Sequence, residues 1–476
     1  MENKRSSTVG ALFLYIALGL GLIYQYQSSY HGDTLLLFIV LIVSYFWIGA
    51  LLVHAKAYHN LYIFEPIFFV SMLYFGIFIL KPIIDLKNGA MYEHGVNVLG
   101  GGLKATSLIV LSYTVMFLSY YKRHVRFVVG SSIKESPRKN ETAQNTSCTA
   151  LYIGWGITFG LSILCMLSQG LSLQYIFSLG TAGERVIDES NTVLLFLSNF
   201  GITTVTLWLM ILVGSNNLPA KIVVSILEAT YILIRNGRWL ILVLILSPIV
   251  FYYVKRRKKP NPLYTIIIAF LLLFVFAWMQ ANRYSISTGG GYSSWGGSAF
   301  SIELLLAPFE SDLNTYRSFY SMVQRFPSKY PYMLGKTFFY VFVLFIPRAI
   351  WPGKPDNPVR DMIEMSLSSS ARASGTATCN VGEIYANFGF LGCIFGMYIV
   401  GWALQAIKSW YDIEKNIANE DGIQKNERLF MYSIIYPLLF QWIARGNFSG
   451  NFYMTLFALL PFIMKAIRRK VHLGGK

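Results

Sequence analysis

The chain has 476 residues, 54% of them hydrophobic and only 13% charged, with a mean hydropathy of +0.49. Soluble domains carry about 25% charged residues, so this composition excludes an ordinary soluble enzyme and indicates an all-α polytopic membrane protein. The formal net charge of +17 is gathered in short loops beside apolar runs, as in a positive-inside membrane protein, and no nucleic-acid partner is expected.

A span needs about 20 apolar helical residues to cross a hydrocarbon core about 30 Å thick. Runs of that kind lie at roughly 9–27, 34–53, 61–80, 104–121, 149–168, 192–213, 219–235, 238–254, 263–281, 384–407, 428–445 and 449–467, which predicts about twelve transmembrane helices. The first follows Met1-Glu2-Asn3-Lys4-Arg5 with no small-residue cleavage site and reads as a retained anchor. Pro219 and Pro262 stand at helix starts, where a missing N–H is harmless. Basic clusters follow the fourth span (Lys122, Arg123, Arg126, Lys134, Arg138, Lys139), the eighth (Lys255 to Lys259) and the last (Lys465, Arg468, Arg469, Lys470). A twelve-span topology puts all three in the cytoplasm together with both termini.

The expected organisation is then nine helices over 1–281 with cytoplasmic loops at 122–148 and 255–262, an external loop over 282–383, and three helices with a cytoplasmic tail over 384–476. The cysteines Cys148, Cys165, Cys379 and Cys393 have neither metal-site nor disulfide-framework spacing, and no metal or cofactor is expected.

An external connection of about 100 residues is longer than structureless loops usually are, and such loops are generally functional. It opens on Gly289-Gly290-Gly291 and continues with Leu313, Tyr316, Phe319, Tyr320 and Val323 at helical spacing, Arg317 and Arg325 lying on other faces. That pattern predicts an amphipathic helix along the membrane interface. The apolar run at 338–350 is too short to span and reads as a re-entrant segment, which ends at Pro347-Arg348. Counting it as a full span would also carry the C-terminal basic cluster outside.

Ionisable residues in spans are expensive and mark sites by default. Glu228 falls inside the seventh span with Arg235 seven residues on, Arg238 opens the eighth, Arg283 closes the ninth, and Gln441 and Arg445 share a face near the end of the eleventh. Asn380, Glu383 and Asn387 share a face at the start of the tenth. Glu228 aside, these groups and Arg348 converge on the outer interface. Arginines there are also commonly headgroup anchors, Glu383 suits a helix N-terminus, Glu228 suits a structural pair with Arg235, and Gly389, Gly392 and Gly396 suit a helix-packing face. Guanidinium groups match phosphate oxygens two at a time, so the convergence suits a lipid diphosphate leaving group stabilised where its charge develops. Glu383, partly desolvated, is the candidate general base.

The residues Ile346-Pro347-Arg348, Trp351-Pro352-Gly353-Lys354-Pro355 and Gly382-Glu383-Ile384-Tyr385-Ala386-Asn387-Phe388-Gly389, with the Arg-Asn-Gly-Arg turn at 235–238, resemble the bacterial O-antigen and capsule repeat-unit polymerase (Wzy) family. The resemblance implies a GT-C-like fold related to O-antigen ligases, in the bacterial inner membrane, with its active site on the outer, periplasmic face. It implies transfer of a growing glycan from undecaprenyl diphosphate to the non-reducing end of an incoming lipid-linked repeat unit, so the partners are lipid-linked donor and acceptor, the bilayer, a flippase and a chain-length regulator. Arg348, Arg238 and Glu383 match family positions, and Lys354, Tyr385 and Asn387 lie in the same motifs as substrate-binding support. Arg235, Arg283 and Arg445 rest on topology as diphosphate-binding candidates. The alternatives are a ligase of the same fold and a lipid-linked oligosaccharide flippase. The absence of a histidine in 282–383 favours polymerase over ligase, and the absence of paired internal halves disfavours a transporter.

Overall fold

A computed structural model describes residues 15–24, 32–122, 148–168, 197–234, 238–256, 260–261, 267, 270, 313–346, 350–411 and 427–474. Among these residues the chain is helical apart from one small hairpin. The N-terminal part holds α1 (Tyr15–Tyr24), α2 (Asp33–His59), α3 (Pro66–Lys87) and α4 (Leu99–Tyr121). Next come α5 (Cys148–Ser168), α6 (Phe200–Gly214), α7 (Leu218–Ile234) and α8 (Arg238–Arg256). Four short helices follow: α9 (Thr315–Arg325), α10 (Lys336–Leu344), α11 (Pro358–Ser366) and α12 (Ser369–Ala373). The last three are α13 (Asn380–Trp410), α14 (Glu427–Ala444) and α15 (Phe448–Gly474).

Seven of these, within α2, α3, α4, α5, α8, α13 and α15, are long and apolar enough to cross a membrane, counted over the described residues. Each run expected to span coincides with a helix except 263–281, which lies almost wholly outside the described residues. The long helices are apolar on both faces. On α2, Leu41 and Ile48 are in the core while Val43 is 62% exposed, as suits a helix with protein on one side and lipid on the other.

Proline punctuates α3. Pro82 has no N–H to return to the preceding turn, and just before it the helix widens into a π-turn over Gly76–Leu80, where the Lys81 N–H bonds to the Gly76 carbonyl. Past the helix, β1 (Tyr92–Glu93) and β2 (Val96–Asn97) pair antiparallel. The connecting His94 and Gly95 have φ of 47° and 78°, the left-handed pair that a tight hairpin turn demands.

One hydrophobic cluster joins α2, α3, α4, α9, α11 and much of α13, and a second joins α5 to α8 with α14 and α15. Where α13 crosses α4, a Cβ on Gly401 would stand 2.2 Å from the Met116 carbonyl oxygen. The expected Gly389, Gly392 and Gly396 are close-packed too, a Cβ on Gly392 falling 2.2 Å from Phe388 Cβ and one on Gly396 3.0 Å from Ile384, so Gly401 extends the packing face toward α4.

Two expectations change shape. The amphipathic helix is present as α9, but it does not lie along a surface: Tyr316, Phe319, Tyr320 and Met322 are all fully buried. Its polar residues are bonded inward, Tyr320 to Thr106 at 2.7 Å and Ser318 to the Ala377 carbonyl at 2.9 Å. The tenth expected span, 384–407, is not one continuous rod. Gly389 breaks α13 with φ 66° and ψ −154°, and the residues on either side fold back on each other. Asn380 Nδ2 lies 3.8 Å from Met397 Sδ, and Cys393 Sγ lies 3.9 Å from the Val381 carbonyl oxygen. In a straight helix residues 380 and 397 would be about 25 Å apart. The short arm 380–388 thus docks on the start of a helix over 390–410, whose length of about 31 Å matches the hydrocarbon core.

A candidate active site at the broken helix

A helix that stops inside a membrane protein leaves its last carbonyls without partners, and there they must be satisfied by protein. The chain just before α10 supplies the donors. Met333 N–H bonds to the Ala386 carbonyl at 2.9 Å and Leu334 N–H to the Asn387 carbonyl at 3.1 Å. Gly335, at φ 87°, then turns the chain into α10, and its N–H donates to Asn387 Oδ1 at 3.0 Å.

Asn387 is fully buried. Its Nδ2 donates to Thr337 Oγ1 at 2.8 Å and to the Glu383 carbonyl at 2.7 Å. Glu383, one turn earlier, is 3% exposed. Its carboxylate accepts from the Phe448 N–H, at 3.0 Å to the nearer oxygen and 3.3 Å to the other. Phe448 opens α15, so the carboxylate faces a helix N-terminus, where orphan donors and the helix dipole favour negative charge.

The α14–α15 turn reaches this point because Gly446 permits it. Its N–H bonds to the Thr378 carbonyl at 2.6 Å, and a Cβ there would lie 2.4 Å from the Cys379 carbonyl oxygen. Arg445 immediately precedes it, half-buried, its carbonyl accepting from Asn451 Nδ2 at 2.8 Å. Glu383 therefore packs against the turn that follows Arg445, a Cβ on Gly446 falling 3.1 Å from Glu383 Cβ, with Gln441 buried one turn earlier on α14.

Tyr385 donates its hydroxyl to the Phe326 carbonyl at 3.1 Å and is 1% exposed. It ties the short arm to the end of α9. Lys354 is 4% exposed, and its ammonium donates to the Leu344 and Ile346 carbonyls at 3.0 Å each. It closes the C-terminal end of α10, where a cation complements the dipole, and so holds the chain directly before Pro347. α10 is nine residues long, about 14 Å, too short to cross. Phe339 and Phe342 on its outer face are 67% and 70% exposed.

Arg348, Arg235 and Arg283 lie outside the described residues, as does the side chain of Arg238. The backbone at Arg238 opens α8. Near the far end of that helix Tyr253 accepts from Tyr62 at 3.3 Å and Phe251 packs on Phe430, so α8 and α14 run antiparallel and Arg238 starts at the end of the bundle where Arg445 sits. Glu228 is fully buried in the second cluster, accepting from Trp155 Nε1 at 2.8 Å and Thr204 Oγ1 at 2.7 Å. Both oxygens thus bridge α7 to α5 and α6, the arrangement of a structural tie.

Sequence reasoning missed Thr337, Gly446 and a buried ionic cluster. Asp85, 2% exposed, takes Lys81 at 2.6 Å and Arg317 at 2.6 Å, and Arg317 also reaches Glu93 at 3.3 Å. These residues bind α9 to the end of α3 and the hairpin. The i, i+4 spacing of Lys81 and Asp85 beside an apolar run was the available signal. His94 Nε2 bonds Thr376 Oγ1 at 2.7 Å, fastening the hairpin to the segment leading into α13.

A family model described as O-antigen polysaccharide polymerase Wzy matches residues 10–472. No curated protein and no solved structure matches the chain.

Proposed function

Because the chain belongs to the O-antigen polysaccharide polymerase Wzy family, we propose that it lengthens a surface glycan by moving the growing chain from polyprenyl diphosphate to the non-reducing end of a new lipid-linked repeat unit. The observation that carries the reading is the family match over nearly the whole chain. The buried junction at Glu383 adds chemistry to it. In the proposed step an acceptor hydroxyl attacks the anomeric carbon, the bond from that carbon to the diphosphate oxygen breaks, and the lipid diphosphate leaves with the electron pair. The hydroxyl proton passes to Glu383, a carboxylate that retains acceptor capacity beyond the Phe448 N–H it accepts.

Arg348, Arg238, Arg235, Arg283 and Arg445 would face the diphosphate, where fixed guanidinium groups lower the barrier as charge develops. Lys354 and Asn387 support them indirectly, by holding the two ends of α10. Tyr385 does the same for the short arm. The rest of the proposal is topological: twelve spans in a GT-C-like arrangement, both termini in the cytoplasm, the segment 282–383 and the site on the outer face of the bacterial inner membrane. Donor and acceptor would be undecaprenyl-diphosphate-linked, with a flippase and a chain-length regulator as partners.

The test is reconstitution. Purified protein with lipid-linked repeat units, in detergent and with no second compartment, should yield a ladder of longer lipid-linked glycans. The Arg348→Ala protein should fold and insert but give no ladder. A ladder of ordinary lengths from that variant would overturn the assignment of Arg348, and transfer of finished glycan to a different acceptor without lengthening would replace polymerisation with ligation.

A further inference from the structure

From the hydrogen bonds across the α14–α15 turn we infer that Asn451 is a positioning residue for the reaction, holding the turn so that the Phe448 N–H stays on the Glu383 carboxylate; the inference rests on the reading of Glu383 as the proton acceptor. Asn451 lies in the first turn of α15 and is 7% exposed. Its amide nitrogen reaches back to two carbonyls at the end of α14, that of Arg445 at 2.8 Å and that of Gln441 at 3.1 Å. Carbonyls are pure acceptors and the nitrogen carries two hydrogens, so both hydrogens are committed and the amide cannot be reversed. Carbonyls at a helix C-terminus run short of helical donors. Here one side chain of α15 closes the end of α14.

The chain between these points is held as closely. The Gly446 N–H donates to the Thr378 carbonyl at 2.6 Å, and Asn447 Oδ1 accepts from the Gly450 N–H at 3.2 Å, capping α15 from within. The Phe448 N–H is thereby left to the Glu383 carboxylate, 3.0 Å from one oxygen and 3.3 Å from the other. A donor that straddles both oxygens orients the carboxylate only while its own backbone stays in place, because a backbone N–H has no rotamer with which to follow a displaced partner. Asn451 acts through that backbone, which also carries Arg445.

The test compares Asn451→Leu, which keeps much of the volume and removes both donors, with Thr455→Val one turn further along α15. Thr455 Oγ1 accepts from Trp442 Nε1 at 2.9 Å, so T455V also removes a tie between α14 and α15 but leaves the carbonyls of the turn satisfied. Both are assayed beside Glu383→Gln as full-length protein on lipid-linked repeat units, with thermal unfolding in detergent as the folding control. A misplacement of about 1 Å can cost about 100-fold in rate, so N451L should lose between about 10-fold and about 100-fold in kcat with KM for the repeat unit little changed. T455V should keep wild-type turnover, and E383Q should be folded and inactive. If N451L does not fold, Asn451→Ser, which keeps one donor on a shorter side chain, is read by the same criteria. Wild-type turnover in the Asn451 variant while E383Q is inactive overturns the role of Asn451 alone. Parallel losses in the Asn451 variant and T455V, tracking their unfolding temperatures, would reduce Asn451 to packing and also overturn it. E383Q with wild-type turnover overturns the proton-acceptor reading itself, and this inference with it.

Discussion

At the scale of single residues, the molecule depends on two glycines whose value lies in what they lack. Gly446 lets the α14–α15 turn come within hydrogen-bond reach of Thr378. Gly389 adopts φ 66° and ψ −154°, a region essentially confined to glycine, and a Cβ on it would meet the Tyr332 ring at 2.7 Å. Gly389→Ala should therefore destabilise the protein by at least about 1–3 kcal/mol, read as a lower unfolding midpoint in detergent. An alanine variant as stable as the parent would contradict the break described at that position. Part of this scale was legible in the sequence. The shared face of Asn380, Glu383 and Asn387 is a matter of helical spacing, and it survives in the short arm. Thr337 gave no signal, because a threonine at the start of an apolar run is indistinguishable from a helix-capping residue until its neighbours are known.

Among elements, the end of the bundle that holds Glu383 is a set of short helices fastened to long ones by polar ties. α9 is held by Asp85, which pairs with both Lys81 and Arg317, while Glu93 also reaches Arg317. Removing one member of a buried ionic group strands the others and typically costs about 3–5 kcal/mol. Asp85→Ala should loosen α9 in particular, and limited proteolysis should cut near residues 326–335 well before the rest of the chain. Unchanged proteolysis would show that apolar packing alone holds α9. The helix itself was readable from the spacing of Leu313, Tyr316, Phe319, Tyr320 and Val323. Its burial was not, since an apolar stripe is equally suited to a membrane surface or a protein groove, and only the partner, here α4, selects between them.

For the whole molecule, the proposed topology makes the two ends of the bundle face different compartments. Ser370 on α12 and Arg256 at the end of α8 are both exposed. In a Cys148→Ser background, Ser370→Cys should react with an impermeant maleimide on intact cells and Arg256→Cys only after permeabilisation. The reverse pattern would place the Glu383 junction in the cytoplasm and remove the outer-face assignment. The far end of the bundle carries its own tie, Lys408 to Glu65 at 2.7 Å with Tyr120 on the same carboxylate at 2.9 Å, so α13 is anchored to α3 and α4 well away from the junction.

Sequence alone determined the class of molecule, because continuous apolar runs of about 20 residues cross hydrocarbon as helices, whereas barrel strands alternate. It also determined which charged groups stand out, because an ionisable residue in such a run is costly and therefore conspicuous. The short length of the 338–350 run was equally readable, since rise per residue sets reach. What only the tertiary structure decided is how the 380–410 segment doubles back, what caps its exposed carbonyls, and which side chains surround Glu383. Those outcomes depend on contacts such as Thr337 with Asn387 and Phe448 with Glu383, whose separation along the chain carries no periodic signal, and on a glycine whose unusual backbone angles become necessary only once another element closes against it.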